Sequence, residues 1–383
     1  MKKICVVTGG RMDYGHLFKV MKAIDSSEIL ELQIIATCMH LSPEFGLTYK
    51  NIESDGFKIN KKIECLLSSD TSGAVAKSVG LACISFSEAY QELEPDLVLI
   101  MGDRYELLAA SQVALFMKLR IAHISGGDTT EGAYDEAIRH SITKMSHLHF
   151  VTNLDAYNRV TQLGENPKYI FNFGSPTIDL IYDTPMISRE NLEKKLDFKL
   201  KNKNIIFTYH PVTLNYKKNK EDLVTILDAL SELGSDFGLV ITKSNADDGG
   251  RILNQEIESF VSSHQNAKAY DALGQYLYYN CINNFDLVLG NSSSGLFEVP
   301  TFKKPTVNIG DRQKGRIRSK SVIDCKVDKR EIINAIHKAL NMKCDDVVNP
   351  YGIGNSSKKI ISLLEKININ EIPLQKHFFN KFS

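Results

Sequence analysis

The sequence predicts an α/β protein made of two doubly wound units in succession. Three observations predict it. Short, continuous apolar runs rich in β-branched residues recur along the chain, the pattern of strands buried on both faces. Segments of helical length separate many of these runs, as the crossovers of a parallel sheet require. The chain, at 383 residues, also exceeds the ~100–200 residues of a typical single domain.

The first run, Lys3–Val7, ends at Thr8-Gly9-Gly10-Arg11. It is shorter than the ~7–15-residue apolar core of a secretion signal, so it reads as a strand. Leu32–Thr37, Asp96–Met101, Arg120–Ile124, His147–Thr152 and Tyr169–Phe173 follow. Helical patterns occupy Gly15–Ile24, Ala74–Leu93 and Tyr105–Met117. Gly174-Ser175-Pro176 then breaks the pattern, and Ser188–Lys203 is a charge-rich stretch that reads as a solvated helix and connector. The second half repeats the style with runs Asn204–Tyr209, Phe237–Thr242, Asp286–Leu289 and Thr306–Ile309. Its helical patterns are Glu221–Leu233, Gly250–His264, Leu273–Asn280 and Lys329–Leu340. A stop at Asn349-Pro350-Tyr351-Gly352, a helix at Ser356–Glu365 and an apolar, aromatic tail close the chain. The expected domains are therefore 1–175 and 176–365, with 366–383 as a tail that docks rather than frays.

Composition narrows the function. Lys plus Arg and Asp plus Glu each number 46, giving a formal net charge of zero. A nucleic-acid partner, which calls for a basic excess, is not expected. No run approaches the ~18 apolar residues of a membrane span, so no membrane partner is expected either. Seven cysteines without a CxxC spacing read as free, mostly buried thiols of a reducing, cytoplasmic protein. His147 and His149 lack a third ligand at metal spacing, so neither a metal nor a cofactor is expected.

In an open α/β sheet, ligands bind beyond the carboxyl ends of the strands, so polar residues there are the site candidates. Gly290-Asn291-Ser292-Ser293-Ser294-Gly295 lies between a strand and a helix, where free backbone amides and hydroxyls suit a phosphate. Glu298 stands one helical turn further on and could bond a ribose diol. After the next strand, Arg312, Lys314, Arg316 and Arg318 fall within seven residues, a cationic loop suited to a diphosphate. In the first half, Arg11 follows two glycines, and Gly102-Asp103-Arg104 ends a strand. Asp128, Glu131, Asp135 and Glu136 follow the strand that ends at Ile124. Clustered carboxyls supply acid and base when their surroundings separate their pKa values. His210 ends the first strand of the second half and is turned outward by Pro211.

These segments together resemble the UDP-N-acetylglucosamine 2-epimerase family, in particular its hydrolysing branch in sialic-acid-type biosynthesis. The matching segments are TGGRMDYG (8–15), GDRYELLA (102–109), YDEAIRHSITKMS (134–146), YHPVT (209–213), GNSSSGLFEVP (290–300) and GDRQKGR (310–316). They span most of the chain in the family's order. The resemblance implies two Rossmann-like domains facing across a cleft, of the GT-B type, with the tail returning to the first. It implies a UDP-sugar substrate bound by Arg11, Arg104, His210, Asn245, Ser292, Ser293, Glu298 and Arg312. It assigns acid–base work to Asp103 and Asp135. A further family carboxylate falls at Ser125, in a segment one residue longer than the family's. Asp128 or Glu131 supplies that group, or this branch does without it. The assembly expected is a homodimer or a dimer of dimers. The implied reaction eliminates UDP to a 2-acetamidoglucal and adds water, giving N-acetylmannosamine. The same chemistry on a 2,4-diacetamido-6-deoxy sugar, a non-hydrolysing epimerase and a GT-B glycosyltransferase are the alternatives.

Overall fold

The computed structural model of the protein describes residues 1–67, 69, 71–129, 135–211, 216–244 and 250–380, without the side chains of 216, 217, 250 and 251. The chain divides into two compact units, Met1–Leu180 with Tyr351–Ser383, and Ile181–Pro350.

The first unit is built on a parallel sheet of seven strands: β1 (Lys2–Thr8), β2 (Leu30–Thr37), β3 (Lys61–Ile63), β4 (Leu97–Met101), β5 (Arg120–Ile124), β6 (Leu148–Val151) and β7 (Ile170–Asn172). Their order is β3-β2-β1-β4-β5-β6-β7. The helices are α1 (Arg11–Asp25), α2 (Tyr49–Ser54), α3 (Ser72–Leu93), α4 (Tyr105–Phe116), α5 (Asp135–Met145), α6 (Leu154–Gln162) and α7 (Pro176–Asp183), the last of which continues past Leu180 into the stretch assigned to the second unit. Alternate strand residues feed two cores. Ile4, Val6, Leu97 and Leu99 pack with α1, whereas Cys5, Val7, Val98 and Ile100 pack with α3 and α4. This two-faced burial is why the runs are continuously apolar.

The second unit repeats the scheme with β8 (Lys203–Thr208), β9 (Phe237–Thr242), β10 (Ala267–Tyr270), β11 (Leu287–Gly290), β12 (Thr306–Ile309) and β13 (Val322–Cys325), ordered β10-β9-β8-β11-β12-β13. Its helices are α8 (Arg189–Leu196), α9 (Tyr216–Glu232), α10 (Gly250–Ser263), α11 (Gly274–Asn284), α12 (Ser294–Phe297) and α13 (Lys329–Leu340). In each sheet the order reverses once, between β1 and β4 and between β8 and β11. Such a switch point leaves a crevice beyond the strand ends, because neighbouring crossovers depart to opposite faces.

The last helix, α14 (Ser356–Lys366), belongs to the first unit, where the sequence reading placed it in the second. Its apolar spacing reveals that one face is buried but not against what. Ile360, Ile361 and Leu364 pack with Leu17, Val20, Met21 and Ile24 of α1, burial worth roughly 1.5–3 kcal/mol per side chain. Both helix ends are held by first-unit residues. The Ser356 and Ser357 amides donate to the two oxygens of Asp179 at 2.9 and 2.7 Å. The Lys2 ammonium donates to the carbonyls of Leu364, Glu365 and Ile367 at 2.7–3.0 Å. An anion at a helix N-terminus and a cation at its C-terminus both oppose the macrodipole. Beyond it, Arg120 donates to the carbonyls of Ile372 and Asn370 at 2.8 and 2.9 Å. Lys376 reaches Glu165 at 2.6 Å, and Phe378 packs on Gly164.

Candidate functional site

Each unit gathers polar residues at its own switch point. In the first, β1 ends in Thr8 and turns through Gly9 and Gly10 into α1. A Cβ at Gly9 would lie 2.0 Å from a carboxylate oxygen of Glu106, so the turn and that acid share a space only glycine leaves open. The helix begins at Arg11, four residues earlier than its apolar pattern suggested. Arg11 is thus an exposed first-turn residue rather than part of a loop.

β4 leads into the turn Gly102-Asp103-Arg104, and α4 starts at the next residue, Tyr105. The buried His123 imidazole donates Nε2–H to the Gly102 carbonyl at 2.8 Å and so supports this turn. Arg104 donates Nε–H to the fully buried Glu106 at 2.6 Å and stands 3.9 Å from Asp13. Asp103 pairs with Arg139, which also donates to Glu136 at 2.8 Å and to the Asp128 carbonyl at 2.8 Å. Arg139 is only 4% exposed, so its charge is shielded from water and fixes the carboxylates around it. Asp135 opens α5. Burial, and then the charge of Asp103, raise its pKa against the opposing pull of Arg139 and Arg104.

Asp103, Asp135, Arg104 and Arg139 thus form one electrostatic group. Asp128 joins it through its main-chain carbonyl, which accepts from Arg139. Its carboxylate accepts from Thr152 at 2.5 Å and Asn153 at 3.3 Å, at the end of β6. Ser125 stands at the end of β5 in the left-handed backbone region, φ 65°. Glu131 and Asn245 lie outside the described residues.

In the second unit, β11 ends at Gly290, φ 130°, where a Cβ would fall 1.9 Å from the Thr208 carbonyl of β8. That approach admits only glycine. Asn291 follows, fully buried, and exchanges two hydrogen bonds with the backbone of His210, each 2.8 Å. Its carbonyl accepts from Arg312 at 3.0 Å and from Gln313 at 2.8 Å. One residue therefore ties the ends of β8 and β11 to the basic loop after β12. Burial, and then the Arg312 charge, lower the His210 pKa to about 4, so its ring is neutral near pH 7. Ser292 and Ser293 are half-buried before α12, a single turn of four residues. Glu298 therefore stands just past that short helix rather than inside a longer one. It accepts from Tyr279 at 2.7 Å and from Ser294. Among the basic-loop residues, Arg318 pairs with Asp324 at 2.6 Å, and Arg316 lies over the Phe297 ring.

Asp13, Glu106, Arg139, Asn291 and Gln313 were not singled out from sequence. All lie in or beside the segments that carry the resemblance. Glu106, two residues after Arg104 and in the first turn of an otherwise apolar helix, was the legible signal. Among the described residues no group of three His, Cys, Asp or Glu side chains could hold a metal ion. No described helix is long and apolar enough to cross a membrane.

A family model described as UDP-N-acetylglucosamine 2-epimerase matches residues 22–365. The GDP/UDP-N,N'-diacetylbacillosamine 2-epimerase (hydrolyzing) of Campylobacter jejuni is 44% identical over 329 residues, 85% of each chain. The UDP-N,N'-diacetylbacillosamine 2-epimerase (hydrolyzing) of Legionella pneumophila is 33% identical over 381 residues, 100% of this chain and 99% of that one. Among solved structures, the UDP-GlcNAc 2-epimerase of Neisseria meningitidis bound to UDP-GlcNAc superposes with a TM-score of 0.83 at 20% identity, over 95% of this chain and 100% of that one. That likeness speaks to the fold.

Proposed function

Because the chain belongs to the UDP-N-acetylglucosamine 2-epimerase family, we propose that it is a hydrolysing UDP-sugar 2-epimerase whose sugar is the 2,4-diacetamido-2,4,6-trideoxyglucose of UDP-N,N'-diacetylbacillosamine. The observation that carries the sugar assignment is the 44% and 33% identity to two relatives named for that activity. UDP-N-acetylglucosamine, converted to N-acetylmannosamine and UDP, is the second reading, favoured by the family model's description.

The chemistry suits the residues. A carboxylate takes the proton from C2 of the sugar. The C–H electron pair becomes the C1–C2 double bond, and the C1–O bond breaks with its electrons going to UDP. Water then adds at C1 of the glycal while C2 takes a proton on the opposite face, giving a free sugar of inverted C2 configuration. Asp103 and Asp135 differ in surroundings, one paired with a buried arginine and the other raised by burial and a like charge. That difference is what separates an acid from a base. Arg11 and Arg104 in the first unit, and His210, Ser292, Ser293 and Arg312 in the second, are the groups we assign to UDP. Cations and amides aimed at a leaving diphosphate lower the cost of its growing charge. Glu298 is assigned to the ribose. Asp128, with its carboxylate engaged by Thr152 and Asn153, holds the loop rather than moving protons.

The test is NMR of each UDP-sugar incubated with the protein in D2O, with no acceptor present. Free UDP and a free, C2-deuterated sugar of inverted configuration are expected, faster from the diacetamido substrate. Faster turnover of UDP-N-acetylglucosamine would select the second reading. A product that keeps UDP, or no UDP release without an acceptor, would reject hydrolysing epimerisation.

A further inference from the structure

Asp13 lies in the first turn of α1, just beyond the Gly9-Gly10 turn. A first-turn acid is ordinarily a solvated helix-dipole partner, whereas the Asp13 carboxyl is largely buried and takes one backbone hydrogen bond, from the Gly9 amide. Here Oδ2 is shut off from solvent and has no hydrogen-bond partner. The cation beside it is the Arg104 guanidinium, whose Nε is 3.9 Å away and already bonded to Glu106 at 2.6 Å. Glu106 is itself buried, and its Oε2 also has no hydrogen bond. Asp103, held by Arg139, adds a further negative charge to the field at Asp13.

Two poorly solvated carboxyls therefore share one guanidinium, and only Glu106 is within hydrogen-bond distance of its Nε. Burying an ionised carboxylate with one oxygen unbonded and its cation 3.9 Å away is costly, and the usual relief is a proton. Burial is the main influence on Asp13. Arg104 and the Gly9 amide act against it, while Glu106 and Asp103 reinforce it, and the pKa rises to about 7. The group is not sealed, because 17% of its side chain remains accessible. A carboxyl that is partly protonated near neutral pH can both give and take a proton.

We propose that Asp13 is a third proton-transfer group of the reaction, working beside Asp103 and Asp135, a role that rests on the proposed function above. Elimination followed by hydration moves protons in both steps: one leaves C2, one returns to the opposite face, and one leaves the attacking water. In this assignment Asp13 passes a proton to or from the reacting sugar or water, and its charge alternates with that transfer.

The experiment uses the full chain with Asp13→Asn and Asp13→Glu. Asn keeps the shape and abolishes proton transfer, so kcat should fall ~10²–10⁴-fold. UDP affinity should stay within about two-fold, the limb of the kcat–pH profile near 7 should vanish, and Glu should restore part of the rate. Carbon-13 NMR of aspartate-labelled wild-type protein should show a carboxyl, missing in either variant, that titrates near pH 7. This reading needs no turnover, and the Glu variant assigns the resonance if Asp13→Asn does not fold. Wild-type kcat in Asp13→Asn overturns the role. So does a loss confined to KM and UDP affinity with the pH limb intact, which would make Asp13 a positioner of Arg104. So does a carboxyl titrating in the ordinary range near 4. A wild-type protein that releases no UDP from either sugar overturns the proposed function and this role with it, whereas normal wild-type turnover beside an unimpaired Asp13→Asn overturns this role alone.

Discussion

Asn291 and His210 hold each other by two reciprocal hydrogen bonds across the ends of β11 and β8. The His210 amide donates to the Asn291 side-chain oxygen, and the Asn291 amide group donates to the His210 carbonyl, both at 2.8 Å. The arrangement fixes the backbone that carries His210 and, through the Asn291 carbonyl, the guanidinium of Arg312. Asn291→Ala should leave a buried amide and carbonyl of His210 without partners, at about 1–3 kcal/mol of stability. UDP affinity should fall with it, because two of its proposed ligands lose their orientation. Denaturant unfolding and calorimetry check both outcomes, and unchanged UDP affinity would show that His210 and Arg312 do not depend on this bond for binding.

The proton-transfer pair gives a kinetic prediction. Asp103→Asn and Asp135→Asn should each lower kcat by at least ~10²-fold with UDP affinity little changed, since general acid–base assistance is worth ~10²–10⁴. The two should differ in what accumulates. The residue acting before glycal formation abolishes the glycal, while the other lets it build up. Rapid-quench analysis of the sugar products decides, and full activity in either variant removes that residue from the mechanism.

UDP binding should take up protons. In the free protein the His210 ring is neutral, its pKa lowered to about 4 by burial and then by Arg312. A diphosphate beside it would offset the Arg312 charge and raise that pKa, so binding near pH 5.5 draws in protons from solution. Calorimetry in two buffers of different ionisation enthalpy measures the uptake, which His210→Asn should abolish. Arg312→Ala should weaken UDP by about 1–3 kcal/mol, the worth of a charge-assisted hydrogen bond.

Acid should release the carboxyl-terminal tail. Burial alone would raise the Glu165 pKa, but the His149 hydrogen bond, the charges of His149 and Lys376 and the Lys144 hydrogen bond outweigh it and bring it to about 2. A depressed folded pKa means stability that is present above the unfolded value near 4.3 and lost as pH falls toward 2. Lys376, which also donates to the Lys144 carbonyl at 2.7 Å, ties the tail to this carboxylate. Lys376→Ala should expose the tail beyond Ile372 to protease at neutral pH, and the wild type should become sensitive only below about pH 4. Mass mapping of the cleavage sites checks it. Equal protection of the two proteins at neutral pH would show that the tail is held by Phe378 and its neighbours instead.

The sheet strands were legible where both faces are buried. Arg120–Ile124, Phe237–Thr242 and Thr306–Ile309 fall where their apolar runs place them. β3, β10 and β13 were not legible. They are edge strands of three or four residues, half-exposed and mixed in polarity, so no period stands out. The candidate site was legible in its charged strand-end residues, because the rule about carboxyl ends of strands does not depend on packing. Asp13 and Asn291 were not. An acid in a helix's first turn and an asparagine after a glycine are ordinary in any sequence. Only the buried, unbonded Oδ2 of the one and the reciprocal bonds of the other distinguish them.

The return of α14 to the first unit sets the order in which the molecule can be completed during synthesis. Residues 181–350 form an uninterrupted stretch, so that unit can close its core as soon as it leaves the ribosome. The unit made first must wait. Until α14 emerges, the α1 face bearing Leu17, Val20, Met21 and Ile24 has no cover from Ile360, Ile361 and Leu364, and Lys2 has no helix end to cap. Residues of β1 and α1 are thus shielded only after a much later stretch of the chain has been made. A chain cut after Pro350 would carry a complete later unit beside an uncovered α1 face, the kind of surface a chaperone binds.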